Sequence, residues 1–193
     1  MSKVFEELTQ EKIKELLIEK SREKDNEGLV IRLIELCEDL NYLTELFIYL
    51  ISIHYISVNV YKKILEKGID INNNCEFNEI KDIKYITVSN ILHIIILESR
   101  SELLELVLTY ESKDYSYKSV NINIQDEEGH TVLENLIIYN TLENDSLEGD
   151  ISMLILLLEQ KNIIKPGESK VNWEDLKKEN LEFYNILYKD IKI

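Results

Sequence analysis

Apolar residues recur along this chain at the spacing of one helix face, segment after segment, and little but polar loops interrupts them. Val4, Leu8, Ile13, Leu16 and Leu17 share one side of residues 3–23, with charges between them. The polar stretch 21–28 ends that segment, and a second apolar run covers 29–40. Asn41 is placed to cap a third helix reaching His54, whose Leu43, Leu46, Phe47, Leu50 and Ile51 form a stripe. After a break near Ser57 a fourth runs to Lys67, and Gly68 stands where a helix C-terminal glycine belongs. Residues 79–88 fit either a short helix or an extended arm.

The pattern continues beyond Asn90. That residue can cap a helix carrying Leu92, Ile95 and Ile96, and Ser101 can cap the next, with Leu103, Leu104, Leu106, Val107 and Leu108 inside it. Thr131 and Glu134 have the spacing of a capping box, in which hydroxyl and carboxylate each satisfy the other's backbone amide. Helices to about Tyr139, over 151–160 and from Trp173 to Leu187 complete the series, the last preceded by a second possible box at Asn172 and Asp175. Only 5 Gly and 1 Pro are present, too few for the many special turns of a sandwich or barrel. Apolar residues make up 45% of the chain, enough for a continuous core.

The rhythm is therefore helix, short turn, helix, long polar loop. A lone hairpin of this kind leaves one apolar side in water, and stacking hairpins side by side covers it. The expected class is all-α: a solenoid of stacked antiparallel helix hairpins forming a single repeat domain over 1–193. Residues 1–41 would supply N-terminal helices, 42–162 the repeats and 163–193 a C-terminal capping helix.

Certain segments resemble the ankyrin repeat, a helix pair of about 33 residues with a finger-like loop between units. Ile64-Leu65-Glu66-Lys67-Gly68-Ile69-Asp70-Ile71-Asn72 is similar to the closing half of one repeat, and Asn90-Ile91-Leu92-His93 to the opening of another. Val120 to Glu134 is similar to a finger leading into the next opening helix, with Asp126, Gly129, Thr131 and Leu133 in register and Glu134 in the place of the family histidine. Asn90 and Thr131 are 41 residues apart, longer than the family period, and neither opening has the family proline. Inserts at 110–119 and 140–150 would account for the length. An irregular helical solenoid or a bundle of another family is the alternative.

The resemblance implies a binding face on fingers and first helices. It places Asp126, Glu127, Glu128 and His130 on a finger, and Glu98, Glu134 and Tyr139 on or near first helices. Tyr115 and Tyr117, on an insert, could add aromatic anchors. It also gives His93 a structural hydrogen bond to the neighbouring unit.

With 37 acidic and 22 basic residues, net charge −15, the chain repels nucleic-acid phosphates and anionic membrane surfaces and favours a basic protein partner. No nucleophile elbow, phosphate-binding loop or metal-ligand spacing is found, so no catalysis, cofactor or metal is expected. Cys37 reads as a buried reduced thiol and Cys75 as a loop residue. The N-terminus lacks a signal-peptide stretch, which points to the cytoplasm of the producing cell, or of a host if the protein is delivered. The expected function is protein binding, as an inhibitor or immunity-type protein. The alternatives are a pathogen or viral adaptor, a subunit of a larger assembly, or an enzyme on a helical scaffold.

Overall fold

The computed structural model of the chain describes residues 8–23, 25–72, 74–75, 80, 89–110, 120–142, 147–160, 163 and 173–191. Among them are ten helices and two extended segments of two residues, Asn74–Cys75 and Ser89–Asn90. The all-helical expectation therefore holds. The chain divides into two compact units, Met1–Val88 with Tyr110–Lys118, and Ser89–Thr109 with Ser119–Ile193. Sequence reading treats 1–193 as one repeat domain, and the division falls inside the span 42–162 that it assigns to repeats.

In the first unit lie α1 (Gln10–Ser21), α2 (Glu27–Leu36), α3 (Leu40–Ser52) and α4 (Val58–Glu66). α1 pairs with α2 and α3 with α4, while α1 also packs on α3 and α2 on α4. Two hairpins thus stack first helix on first and second on second. The sequence dictates which helix is central. α3 is buried on nearly every side, from Tyr42 to Ile51, whereas α1 buries only Ile13, Leu17 and Ser21, one face at i, i+4 and i+8. Tyr61 of α4 meets Phe47 of α3 edge-on, with centroids 5.0 Å apart.

Polar bonds fix the turns. Asp39, not Asn41, caps α3: the Tyr42 N–H donates to its Oδ1 at 3.0 Å, and Lys14 of α1 donates to its Oδ2 at 2.7 Å. Gln10 clasps the same turn, donating to the Leu36 carbonyl at 3.1 Å and accepting from the Glu38 N–H at 3.0 Å. Cys37 is buried and free. Gly68 follows α4 at φ 91°, as a C-terminal glycine should. The side chain of Glu45 is buried in α3 and accepts the Ile80 N–H at 2.9 Å, tying that loop residue to the central helix.

The second unit contains α5 (Ile91–Leu97), α6 (Ser101–Thr109), α7 (Val132–Leu142), α8 (Leu147–Leu158), α9 (Trp173–Glu179) and α10 (Leu181–Ile191). α5 pairs with α6, α7 with α8 and α9 with α10. α5 also packs on α7, α6 on α8, and α7 on α9. Residues 91–96 of α5 and 132–137 of α7 are buried throughout, whereas α6 buries Leu103, Leu104 and Val107 and α8 Met153, Leu154 and Leu157. The first helices are therefore interior and the second helices one-sided.

α3 and α5 end alike. His54 (φ 51°) and Ser99 (φ 48°) adopt left-handed backbone. The next residue's N–H reaches back five positions, Tyr55 to Leu50 at 2.9 Å and Arg100 to Ile95 at 3.0 Å. This Schellman geometry reverses the chain into the second helix of each hairpin. Two expectations are corrected here. Ser101 is the first residue of α6 rather than its cap, since the Arg100 carbonyl accepts from Leu103 and Leu104 at 3.1 Å each. The expected single C-terminal helix is two, because buried Asn180 takes the Phe183 N–H on its own Oδ1 at 3.1 Å. The second expected capping box involves Asn172, which lies outside the described residues.

Candidate functional site

Residues 120–131 form the loop that enters α7, and their geometry follows from two turn-forming side chains. Asn121 Oδ1 accepts the Asn123 N–H at 3.2 Å, and Ile122 is tucked into the core. Gln125 and Thr131 then face each other as an antiparallel bridge, closed by Asp126 N–H to the His130 carbonyl at 3.0 Å. Between them the chain turns through Gly129 at φ 81°, whose N–H donates to the Asp126 carbonyl at 3.1 Å.

Asp126 organises this turn from inside. Its Oδ1 accepts the N–H groups of Glu128 (2.9 Å) and His130 (2.8 Å), and its Oδ2 accepts the Asn135 side-chain amide (2.7 Å). Burial pulls the carboxyl upward. The Asn135 amide, the His130 N–H, nearby His93 and the Glu128 N–H outweigh it and hold Asp126 below the ordinary aspartate value. Thr131 and Glu134 form the capping box: Thr131 N–H donates to Glu134 Oε2 at 2.8 Å, and Glu134 N–H to Thr131 Oγ1 at 3.3 Å.

His93, in the first turn of α5, ties this loop to the preceding hairpin. Its Nε2 lies 3.3 Å from the His130 carbonyl oxygen. That is the structural bond the family resemblance implies. A carbonyl accepts only, so Nε2 carries the proton.

The predicted partner-binding residues separate into distinct groups. Glu134 is 4% exposed and Asp126 half-buried; Glu134 accepts a backbone N–H of the loop, and Asp126 accepts two more together with the Asn135 amide of α7. Both acids, expected on a partner surface, are thus engaged within the protein. Glu127 and Glu128 are exposed, the Glu128 side chain to 81%, with its carboxylate 3.5 Å from His130 Nδ1. His130 is half-buried between Glu128 and Asp126. Tyr139 is half-buried on α7. Burial first, then the charges of Asp126 and Glu128, raise its phenol above the ordinary value. Glu98 sits half-buried at the other end of α5 from His93, away from the loop tip. Tyr115 and Tyr117 lie outside the described residues.

Sequence reasoning missed Asn135, a buried amide on the apolar side of α7 whose only sign was a polar residue where the core pattern calls for an apolar one. Among the described residues no group of three or more His, Cys, Asp or Glu is placed to hold a metal ion. No helix among them is long and apolar enough to cross a membrane. An open groove of about 540 Å³ runs along α10, lined by Leu181, Glu182, Asn185, Ile186 and Lys189. Among the described residues its lining is one flank of α10. No protein family, no curated protein and no solved structure matches the chain.

Proposed function

We propose that this protein is a binding module of the ankyrin-like, stacked-hairpin kind, which captures a basic protein partner and acts by occupying it rather than by catalysis. The observation that supports this reading is the division of labour in the 126–130 loop. Asp126 spends its carboxylate inside, on three donors, while Glu127 and Glu128 extend into solvent from the turn it holds. A pre-ordered loop loses little conformational freedom on binding, so its exposed charges serve encounter and specificity with a smaller ordering cost. The net charge of −15 adds a long-range field of the same sign. Tyr139 and His130 supply amphipathic surface beside the acids. An inhibitor or immunity-type role is the concrete form of this reading.

Affinity capture from lysate at low and high salt, with mass spectrometry, tests it. Wild type should retain one basic protein, lost steeply as salt rises, and the Glu127→Lys/Glu128→Lys variant should retain much less. Equal retention by both proteins removes this loop from the binding surface. Asp126 is left intact because its reversal would disrupt the turn itself.

A second reading, a subunit of a larger assembly, draws on the turn between α3 and α4. There Ile53, Ile56 (88% exposed) and Val58 all face solvent. Sedimentation over a wide concentration range separates the two, because self-association that Ile56→Asp abolishes would favour the assembly.

A further inference from the structure

We propose that His93 is an acid-sensitive latch: neutral, it clasps the 126–130 loop to α5, and protonated, it lets that loop go. The inference rests on how the ring is housed. His93 is 6% exposed, and its Nε2–H is directed to the His130 carbonyl at 3.3 Å. Its Nδ1 is buried and, within the described residues, meets no hydrogen-bond partner. A neutral imidazole tolerates this, since a bare nitrogen lone pair forgoes only one acceptor contact. An imidazolium does not, because Nδ1 then carries a buried N–H with no acceptor among the described residues. The ring reaches water only by leaving the seam between α5 and the loop, which breaks the bond to His130.

The groups around the ring decide whether burial or attraction wins. On the loop, Asp126 favours the charged ring and His130 opposes it by like charge, although the His130 carbonyl favours it. α7 supplies Glu134, engaged by the Thr131 N–H, and Tyr139, half-buried. α6 turns Leu103, Leu104 and Val107 inward and leaves Glu102 and Glu105 exposed. The extended pair before α5 contributes Asn90, whose oxygen accepts the Leu92 N–H at 2.8 Å. Burial is the largest influence, followed by Asp126, and the balance lowers the His93 pKa from the ordinary 6.5. The sign follows: the released loop binds a proton more readily than the latched one, so latching is complete above 6.5 and weakens as pH falls below it. The Asp126 staple stays ionised through this range, being held below 3.8, so loss of latching is not loss of the turn's own carboxylate.

Amide hydrogen exchange of the full chain, corrected for intrinsic rates, reads this at Asp126, Glu128, Gly129 and His130, whose bonds within the turn open more readily once its seam with α5 is released. Between roughly pH 7 and 5, protection in the wild type should fall by up to about tenfold per pH unit from near 6.5, then level off once the latched ring is itself protonated. His130→Gln should behave as the wild type, which excludes His130 as the titrating group. His93→Gln keeps a side-chain N–H donor without a titration, and its protection should stay flat. Constant protection in the wild type, or an equal fall in His93→Gln, overturns the proposal. If His93→Gln does not fold, the wild-type and His130→Gln profiles decide. A fall that disappears in His130→Gln also overturns it. None of these readouts requires a partner, so the latch stands or falls separately from the binding function proposed above.

Discussion

Removing the carboxylate of Asp126 should destabilise the second unit far more than removing the exposed acids beside it. Asp126→Ala leaves the Asn135 amide, on a residue only 5% exposed, without its acceptor. A buried polar group left unpaired costs about 1–3 kcal/mol. The Glu128 and His130 N–H groups lose their acceptor too, but water reaches the turn, so each contributes only about 0.5–1 kcal/mol. The expected loss is about 2–5 kcal/mol, against less than about 0.5 kcal/mol for Glu127→Ala, which lacks any such burial. Urea unfolding followed by the fluorescence of Trp173 measures it. That residue is the only tryptophan, and it lies on α9, which packs against α7 in the same unit. The slope m should stay constant while the midpoint falls. A double-mutant cycle with Asn135→Ala should give a coupling of about 1 kcal/mol or more. If Asp126→Ala and Glu127→Ala unfold together, or the cycle shows no coupling, Asp126 does not hold the loop from within.

Further outcomes follow from the same contacts. Thr131→Ala should cost about 1 kcal/mol by removing the cap of α7, seen as a lower urea midpoint by Trp173 fluorescence. Gly68→Ala and Gly129→Ala should each cost about 1–2 kcal/mol through positive φ alone, since nothing lies within 4 Å of an added Cβ at either site; both should lower the melting temperature by circular dichroism. Gly28→Ala, inside α2 with the same open space, should instead raise it, by about 0.5–1 kcal/mol of stability. Asp126 titrates below its ordinary 3.8 in the folded chain, so its stabilisation is complete above that value and is lost as pH falls through the lower one. Acid unfolding of Asp126→Asn should therefore lack part of the wild type's loss below about pH 4. Identical acid profiles would contradict that assignment.

The parts of the fold legible in sequence are those where local chemistry and packing agree. The stripes of α6 and α8 are readable because each buries a single face. The Thr131–Glu134 box and Gly68 are readable because they are satisfied within a few residues of themselves. Where a distant side chain decides, the sequence is silent. Asp39 prevails over Asn41 as a cap where Lys14 and Gln10, on another helix, hold the turn that contains it. The α9–α10 break looks like one continuing stripe because Asn180 N–H still donates to Leu176, and Tyr184 N–H to Asn180. The intervening Phe183 amide is diverted to the Asn180 side chain. The candidate site is legible as an acidic loop, but not in its polarity. Nothing local announces that Asp126 and Glu134 turn inward while Glu127 and Glu128 turn out, because the deciding group for Asp126, Asn135, is nine residues along and buried.

The account rests on Glu127 and Glu128 being held outward to meet a positive surface. The affinity of the captured partner for wild type and for Glu127→Lys/Glu128→Lys, titrated at two salt concentrations, tests that most directly. Wild type should bind at least about tenfold tighter at low salt, with the gap narrowing as salt rises. Equal affinities at low salt, or a gap indifferent to salt, would contradict it.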